Sequence, residues 1–324
     1  MRICLIGDLH LDHKIGNKLT IDFVDKYRSK IVETANSCDH VVFMGDYFRH
    51  HNSENGYRKY LTQLFVDIKS KKIAILGQHD KDSKGNILQP IEPAINDLDV
   101  TAYDDGFEIV KLSHTDDDVD AAFISHNRDD KRLKEQIQKA INEKVDYVFG
   151  HFNINGYDLG FKKMESSINI GDFKKTKFYL GDIHKYQLSK NVTYVGSIAP
   201  TNLGEAGYEF GIGVLDTKKD KFERIKFDYK IREINAETIE DADDIDENTI
   251  LRVDIKQMKE KAKWMNFLAD KKYLEVIFEM ESAKAKKKKI DFNMKFEDIM
   301  NEYLKLMGKE HLKAEIKLYL ESCK

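Results

Sequence analysis

The chain has 324 residues, 34% of them charged and 41% hydrophobic, a length that supports one domain with a substantial core and a smaller appendage. No apolar run approaches the length needed to cross a bilayer, and no signal-peptide pattern follows Met1 and Arg2, so a cytoplasmic protein without a membrane partner is expected. A formal charge of −4 excludes a binder that works through bulk positive charge, and any nucleic-acid contact has to be local.

Residues 1 to 230 repeat one grammar, in which a short apolar strand ends in glycine or a small turn and then in a polar residue able to ligate. Strands are expected at Ile3 to Ile6, Val41 to Met44, Ile73 to Leu76, Ala121 to Ile124, Tyr147 to Phe149, Phe178 to Leu180, Tyr194 with Val195, and Ile212 to Leu215. Cys4 falls in the first of them. Tyr57, Tyr60, Leu61, Leu64, Phe65 and Ile68 recur at the three-and-four spacing of a buried helix face. Strands alternating with helices indicate an α/β domain.

After Tyr229 an acidic stretch from Glu237 to Glu247 reads as a connecting segment. A small unit follows, with a strand over 250–255, a helix over 256–268 that carries Trp264 on its core side, and a strand over 273–278. The expected division is therefore 1–230 for the main domain, 231–283 for an accessory domain and 284–324 for a tail. That tail opens with a solvated lysine run, Lys284 and Lys286 to Lys289. It continues with two helical stripes, Phe296 to Met307 and Leu312 to Leu320, separated by Gly308. Other basic clusters are Lys162 with Lys163, and Lys174, Lys175 and Lys177. No G-x-x-x-x-G-K-[ST] phosphate loop is present.

Five strand ends share one design: Gly7-Asp8-Leu9-His10, Gly45-Asp46, Gly77-Gln78-His79-Asp80, Gly150-His151 and Gly181-Asp182-Ile183-His184. Ligands bind at the carboxyl ends of strands in α/β sheets, because the chain turns there and side chains converge. Carboxylates, imidazoles and one side-chain amide form a mixed oxygen and nitrogen set suited to manganese, iron, magnesium or zinc. Cys4, Cys38 and Cys323 are far apart and outside any C-x-x-C pattern, so no thiolate site for structural zinc is expected. Two ions sharing one carboxylate would activate water near neutral pH and neutralise charge developing at a phosphorus.

These motifs resemble, in order, those of the calcineurin-like metallophosphoesterases: D-x-H, G-D, G-N-H-D or G-N-H-E, G-H and G-H-x-H. Tyr194-Val195-Gly196-Ser197, followed by Thr201-Asn202-Leu203-Gly204-Glu205-Ala206-Gly207, is similar to the segment after the last metal motif in SbcD-type exonucleases, including phage recombination nuclease subunits. The resemblance implies a β-sandwich flanked by helices, with a small α/β capping domain and C-terminal helices. It implies a manganese-dependent (or magnesium-dependent) 3′-to-5′ exonuclease and single-strand endonuclease acting on DNA, in complex with an SMC-like ATPase of the SbcC type, and is compatible with a homodimer.

Carried over residue by residue, Asp8, His10, Asp46 and His184 would hold one ion, and Asp46, Gln78, His151 and Asp182 the other, with Asp46 the bridge. His79 would be the phosphate-facing histidine and Asp80 would orient its loop. This sequence departs from the pattern at Gln78, where asparagine is usual, and at Asp182, where a histidine is usual and an anion favours harder ions such as Mn²⁺ or Mg²⁺. It departs again at Arg49, where the exonucleases often carry a DNA-positioning histidine; Arg49 itself, His50 or His51 would serve instead. His126 is read as structural, and His13, His40, His114 and His311 as surface residues. Two other readings stay open: a small-molecule or cyclic-nucleotide phosphoesterase, and a scaffold that retains the fold without catalysis.

Overall fold

The central strands of the main domain are apolar at nearly every position because both of their faces are covered, as expected of parallel strands buried between layers. The computed structural model describes residues 1–49, 55–81, 100–103, 106–114, 117–169, 175–235 and 245–280. In β1 (Arg2–Ile6), Ile3 and Leu5 face one layer while Cys4 and Ile6 face another. A hairpin of β2 (Lys14–Ile15) and β3 (Lys18–Leu19) leads into α1 (Thr20–Lys26) and α2 (Arg28–Asn36), and then β4 (His40–Phe43), α3 (Asn55–Asp67) and β5 (Lys71–Ile75) follow. The stripe expected over 57–68 is α3, whose Leu61, Leu64 and Phe65 are fully buried.

Further along lie β6 (Val100–Tyr103), β7 (Glu108–His114), β8 (Asp117–Ile124), α4 (Asp130–Asn142), β9 (Tyr147–His151) and β10 (Lys177–Gly181). Asp129 caps α4 by accepting from the backbone N–H groups of Lys131 and Arg132, and the helix buries Leu133, Ile137 and Ala140. The main domain closes with β11 (Gln187–Leu188), β12 (Val192–Tyr194), β13 (Phe210–Asp216) and β14 (Lys221–Phe227).

These strands form two six-stranded sheets, ordered β14-β13-β1-β4-β5-β6 and β11-β12-β10-β9-β8-β7. They pack face to face through Ile3, Leu5, Val42, Met44, Ile73 and Ile75 from one sheet and Ala121, Phe123, Tyr147, Phe149 and Tyr179 from the other. The outer face of the first sheet, including Cys4, Val41, Phe43 and Ala74, is covered by Phe23, Ile31, Leu61 and Phe65 of the helices. Helix α4 covers the second. Within the sheets β1, β4, β5 and β6 run parallel, as do β8, β9, β10 and β12, so both sheets send their carboxyl ends in one direction.

Beyond Tyr229, β15 (Lys230–Asn235), β16 (Thr249–Ile255) and β17 (Glu275–Met280) make a parallel three-stranded sheet, with α5 (Met258–Leu268) between the last two. Trp264 is fully buried there with Leu251, Val253, Ile255 and Leu268, the core role read for it in the sequence. Most of the acidic stretch, the lysine run and the two terminal helical stripes lie outside the described residues. No described helix is long and apolar enough to cross a membrane. The surface reading of the histidines needs one correction. His40 is 5% exposed, because β4 begins inside the sheet, whereas His114 is 49% exposed at its side chain and pairs with Asp39 at 3.1 Å. His311 lies outside the described residues.

Candidate metal centre

The parallel strand ends of the two sheets meet at one edge of the sandwich. His151, ending β9, places Nδ1 2.6 Å from the carbonyl of Met44 after β4. The backbone N–H of Asp182, after β10, donates to Asp8 Oδ1 at 3.0 Å, after β1. Leu76, after β5, is held from the other sheet by Ser125 and by the backbone of His126. The approach is too close for side chains at the turning residues: a Cβ on Gly77 would lie 2.1 Å from Asp46 Oδ1, and one on Gly45 2.6 Å from the nitrogen of Gly77. Asp8, His10, Asp46 and Asp182 all adopt positive φ, between 38° and 82°, a sparsely populated region for residues other than glycine. Backbone strain of this kind persists where surrounding contacts over-determine it, and it concentrates at functional sites.

Two groups of ligand atoms result. Asp8, His10 and His184 each bring one atom within 4.8 Å of the others, and so do Asp8, Asp46 and His151. Asp8 belongs to both groups, and Asp46 Oδ2 of the second also approaches the first, 3.7 Å from His10 Nε2 and 3.4 Å from His151 Nε2. Asp182 Oδ1 is 3.8 Å from the same His151 nitrogen. His10 and His184 face one another with their Nε2 atoms 3.0 Å apart. Buried polar atoms ordinarily have partners, yet Asp8 Oδ2, Asp182 Oδ2 and His151 Nε2 are buried with no hydrogen bond. Converging, unpartnered oxygen and nitrogen atoms fit divalent cations.

Residues 1–186 match the calcineurin-like phosphoesterases. The chain belongs to that family. Its members are metal-dependent phosphoester hydrolases that hold two divalent ions, in agreement with the paired ligand groups. Structural similarity extends to a zinc-complexed Vps29 from Entamoeba histolytica, at 13% identity over 70% of this chain and all of that one, with a TM-score of 0.32. A Thermotoga maritima protein solved by NMR is similar at 11% identity over 70% of this chain and 98% of its own, with a TM-score of 0.30. No curated protein sequence matches.

Electrostatics in the phosphoesterase centre reflect crowded carboxylates. Burial pushes the Asp8 carboxyl up to about 6, against the pull of His151 and His184, and burial likewise raises Asp182. Asp46 is also buried, but the neighbouring His151 and His10 hold it well below the usual carboxylate range. Burial lowers His10. For His151 and His184 burial acts in the same direction and is outweighed: Asp46, Asp182 and Asp8 raise the first, and Glu205 with the nearby aspartates raises the second to about 9.

Gln78 is exposed, and its Nε2 atom lies 3.4 Å from His79 Nε2. His79 is half-buried, with its backbone N–H on Asp46 Oδ1 at 3.0 Å and its ring edge-on to His10 at 5.5 Å. Asp80 acts as its sequence context suggested: fully buried, it accepts from the backbone N–H groups of Asp46, Tyr47 and Gly77 and so ties two ligand loops together. Arg49 is exposed, with its guanidinium 3.3 Å from the His13 ring and its backbone N–H on Asp12. His50 and His51 lie outside the described residues.

One residue near the centre escaped sequence reasoning. Glu205 accepts from Thr201 and Asn202 and meets His184 Nδ1 at 2.7 Å. Its signal was the Thr201 to Gly207 segment, quoted above for its resemblance but given no contact. His126, read as structural, has its ring 6.3 Å from that of His151, and burial lowers it to about 4.

Proposed function

We propose that this chain is a metal-dependent DNA nuclease, with 3′-to-5′ exonuclease and single-strand endonuclease activity. It would be the catalytic subunit of a recombination and repair complex with an SMC-like ATPase of the SbcC type. The observation that carries this reading is the bracket around His184. Thr201, Asn202 and Glu205 belong to the segment that resembles the SbcD-type exonucleases, and they converge on one another and on the His184 ring. The parallel sheet after Tyr229 and the charged tail beyond it also follow the order of that nuclease family.

Asp8, His10, Asp46 and His184 would hold one ion, and Asp46, His151, Asp182 and Gln78 the other. Manganese suits three carboxylates better than zinc does. Bound ions would supply Lewis-acid activation of water and of the phosphoryl group. The chain's own part is to fix geometry. Glu205 holds the Nδ1 side of His184 so that Nε2 points inward, and Met44 does the same for His151 through its carbonyl. Asp80 locks the loops of Asp46 and His79 in one register. His79, anchored by its backbone and partly open to solvent, would donate a proton to a departing 3′ oxygen or a hydrogen bond to the phosphate. Arg49 would contact a phosphate of the bound strand from the adjacent surface.

A small-molecule phosphodiesterase would need the centre and little beyond it. Purified protein incubated with duplex and single-stranded DNA in Mn²⁺, Mg²⁺ or EDTA tests the proposal. Cleavage dependent on Mn²⁺ supports it. Hydrolysis of a cyclic nucleotide without any DNA cleavage contradicts it.

A further inference from the structure

Between β9 and β10, on the same edge as the ligand cluster, the chain makes a hairpin that the metal centre does not use. Asp158 pairs with Lys163, and Leu159 N–H donates to the Lys162 carbonyl at 2.8 Å, leaving Gly160 and Phe161 at the tip. Gly160 takes a φ of +91°, which such two-residue turns require at the first position. Phe161 then projects with 82% of its surface exposed, more than any other exposed large hydrophobic residue described. Lys162 and Lys163 beside it are exposed, and the charge of Lys163 acts on Asp158. A polar residue would satisfy the turn without putting an aromatic ring in water.

The tip is not loose. Asp158 bonds Lys185 at 2.5 Å, and its backbone exchanges two hydrogen bonds with the Gln187 side chain. Tyr208 OH donates to the Leu159 carbonyl at 2.6 Å. A Cβ on Gly160 would lie 2.0 Å from that hydroxyl. Lys185 directly follows His184, and Tyr208 N–H bonds the carbonyl of Glu205, the residue that positions His184. The backbone that carries Phe161 is therefore tied to the same segments that hold a proposed metal ligand. Rigid aromatic side chains with adjacent cations are how sequence-tolerant single-strand sites work, through base stacking and phosphate contact.

We propose that the Phe161 hairpin is a docking element for single-stranded DNA, with Phe161 stacking on one unpaired base and Lys162 and Lys163 contacting the flanking phosphates. This rests on the nuclease reading above and deepens it, by assigning an element that holds the strand beside the metal centre. Anisotropy of a fluorescein-labelled oligothymidylate, in EDTA and with the full chain, reads binding without cleavage. Phe161→Ala should weaken binding about ten-fold, as expected for losing one stacked base. Phe161→Trp should retain affinity and Phe161→Leu should not restore it, which separates stacking from mere apolar contact. Replacing both lysines by alanine should reduce the slope of log affinity against log salt by about 1.4, at about 0.7 for each single-strand phosphate contact. Unchanged affinity in Phe161→Ala, with the parent binding or cutting DNA, would overturn the hairpin assignment alone. A parent that hydrolyses bis(p-nitrophenyl) phosphate with Mn²⁺ but neither binds nor cuts the oligonucleotide would overturn the nuclease reading and the hairpin with it.

Discussion

Glu205 Oε1 lies 2.7 Å from His184 Nδ1, so a buried carboxylate 21 residues farther along the chain sets the tautomer and the orientation of a proposed ligand. Partners of this kind typically account for ten- to a hundred-fold in metal affinity. Glu205→Ala should weaken Mn²⁺ binding by about that factor, and Glu205→Gln, which keeps an acceptor, should recover part of it. Calorimetric titration of the three proteins measures this. Equal affinity in all three would mean that Glu205 only packs the 201–207 segment.

Asp80 gathers three backbone N–H groups, from Asp46, Tyr47 and Gly77, at 2.6, 2.9 and 2.8 Å. A buried donor left without an acceptor costs about 1 to 3 kcal/mol. Asp80→Ala should therefore destabilise the protein by at least about 3 kcal/mol, read as a lower urea midpoint with the slope unchanged. A loss below about 1 kcal/mol would show that the loops find other acceptors.

Metal binding should release protons. His184 is raised to about 9 and His151 is also raised, so between the ordinary histidine value near 6.5 and that range the metal-free protein carries protons that ligation must displace. Affinity for Mn²⁺ should rise with pH across this window and fall as the solution is acidified. At pH 7.5, titrations in buffers of different ionisation enthalpy should show about one to two protons released for each protein loaded. Heats independent of the buffer would mean that neither imidazole nitrogen is a ligand.

The candidate site is legible in the sequence because five of the seven proposed ligands, Asp8, Asp46, Gln78, His151 and Asp182, directly follow a glycine at the end of an apolar strand, and His10 and His184 come within three residues of one, a local pattern. The two sheets were legible wherever strands were apolar throughout. Two of their strands were not: β7 and β14 carry Lys111 and Arg224 among their apolar residues, because each is only partly covered. Glu205 could not be assigned to His184 from spacing, since the contact depends on a turn closing between them. Nor does the exposure of Gln78 follow from its motif, which suggests a ligand as readily as a surface residue.

The tail from residue 292 to 324 lies outside the described residues, and we propose that the two apolar stripes read there in the sequence form the docking site for the ATPase. Short amphipathic helices are marginal in water and need a surface to cover them. A chain ending at Ala283 should fold, keep Mn²⁺-dependent DNA cleavage and fail to co-purify with the ATPase. Normal co-purification would exclude the tail as the interface, and unfolding would assign it to the protein's own core.

Asp46 Oδ2 lies within 4 Å of a histidine from each proposed ion site, His10 at 3.7 Å and His151 at 3.4 Å, and the proposed two-ion centre stands or falls with it. Calorimetric titration with Mn²⁺ of the parent, Asp46→Ala and His79→Ala proteins is the most direct test. Two ions should bind the parent and His79→Ala, whose DNA cleavage nevertheless falls by orders of magnitude, whereas Asp46→Ala should lose both sites together. Unchanged two-ion binding by Asp46→Ala would contradict the bridged centre.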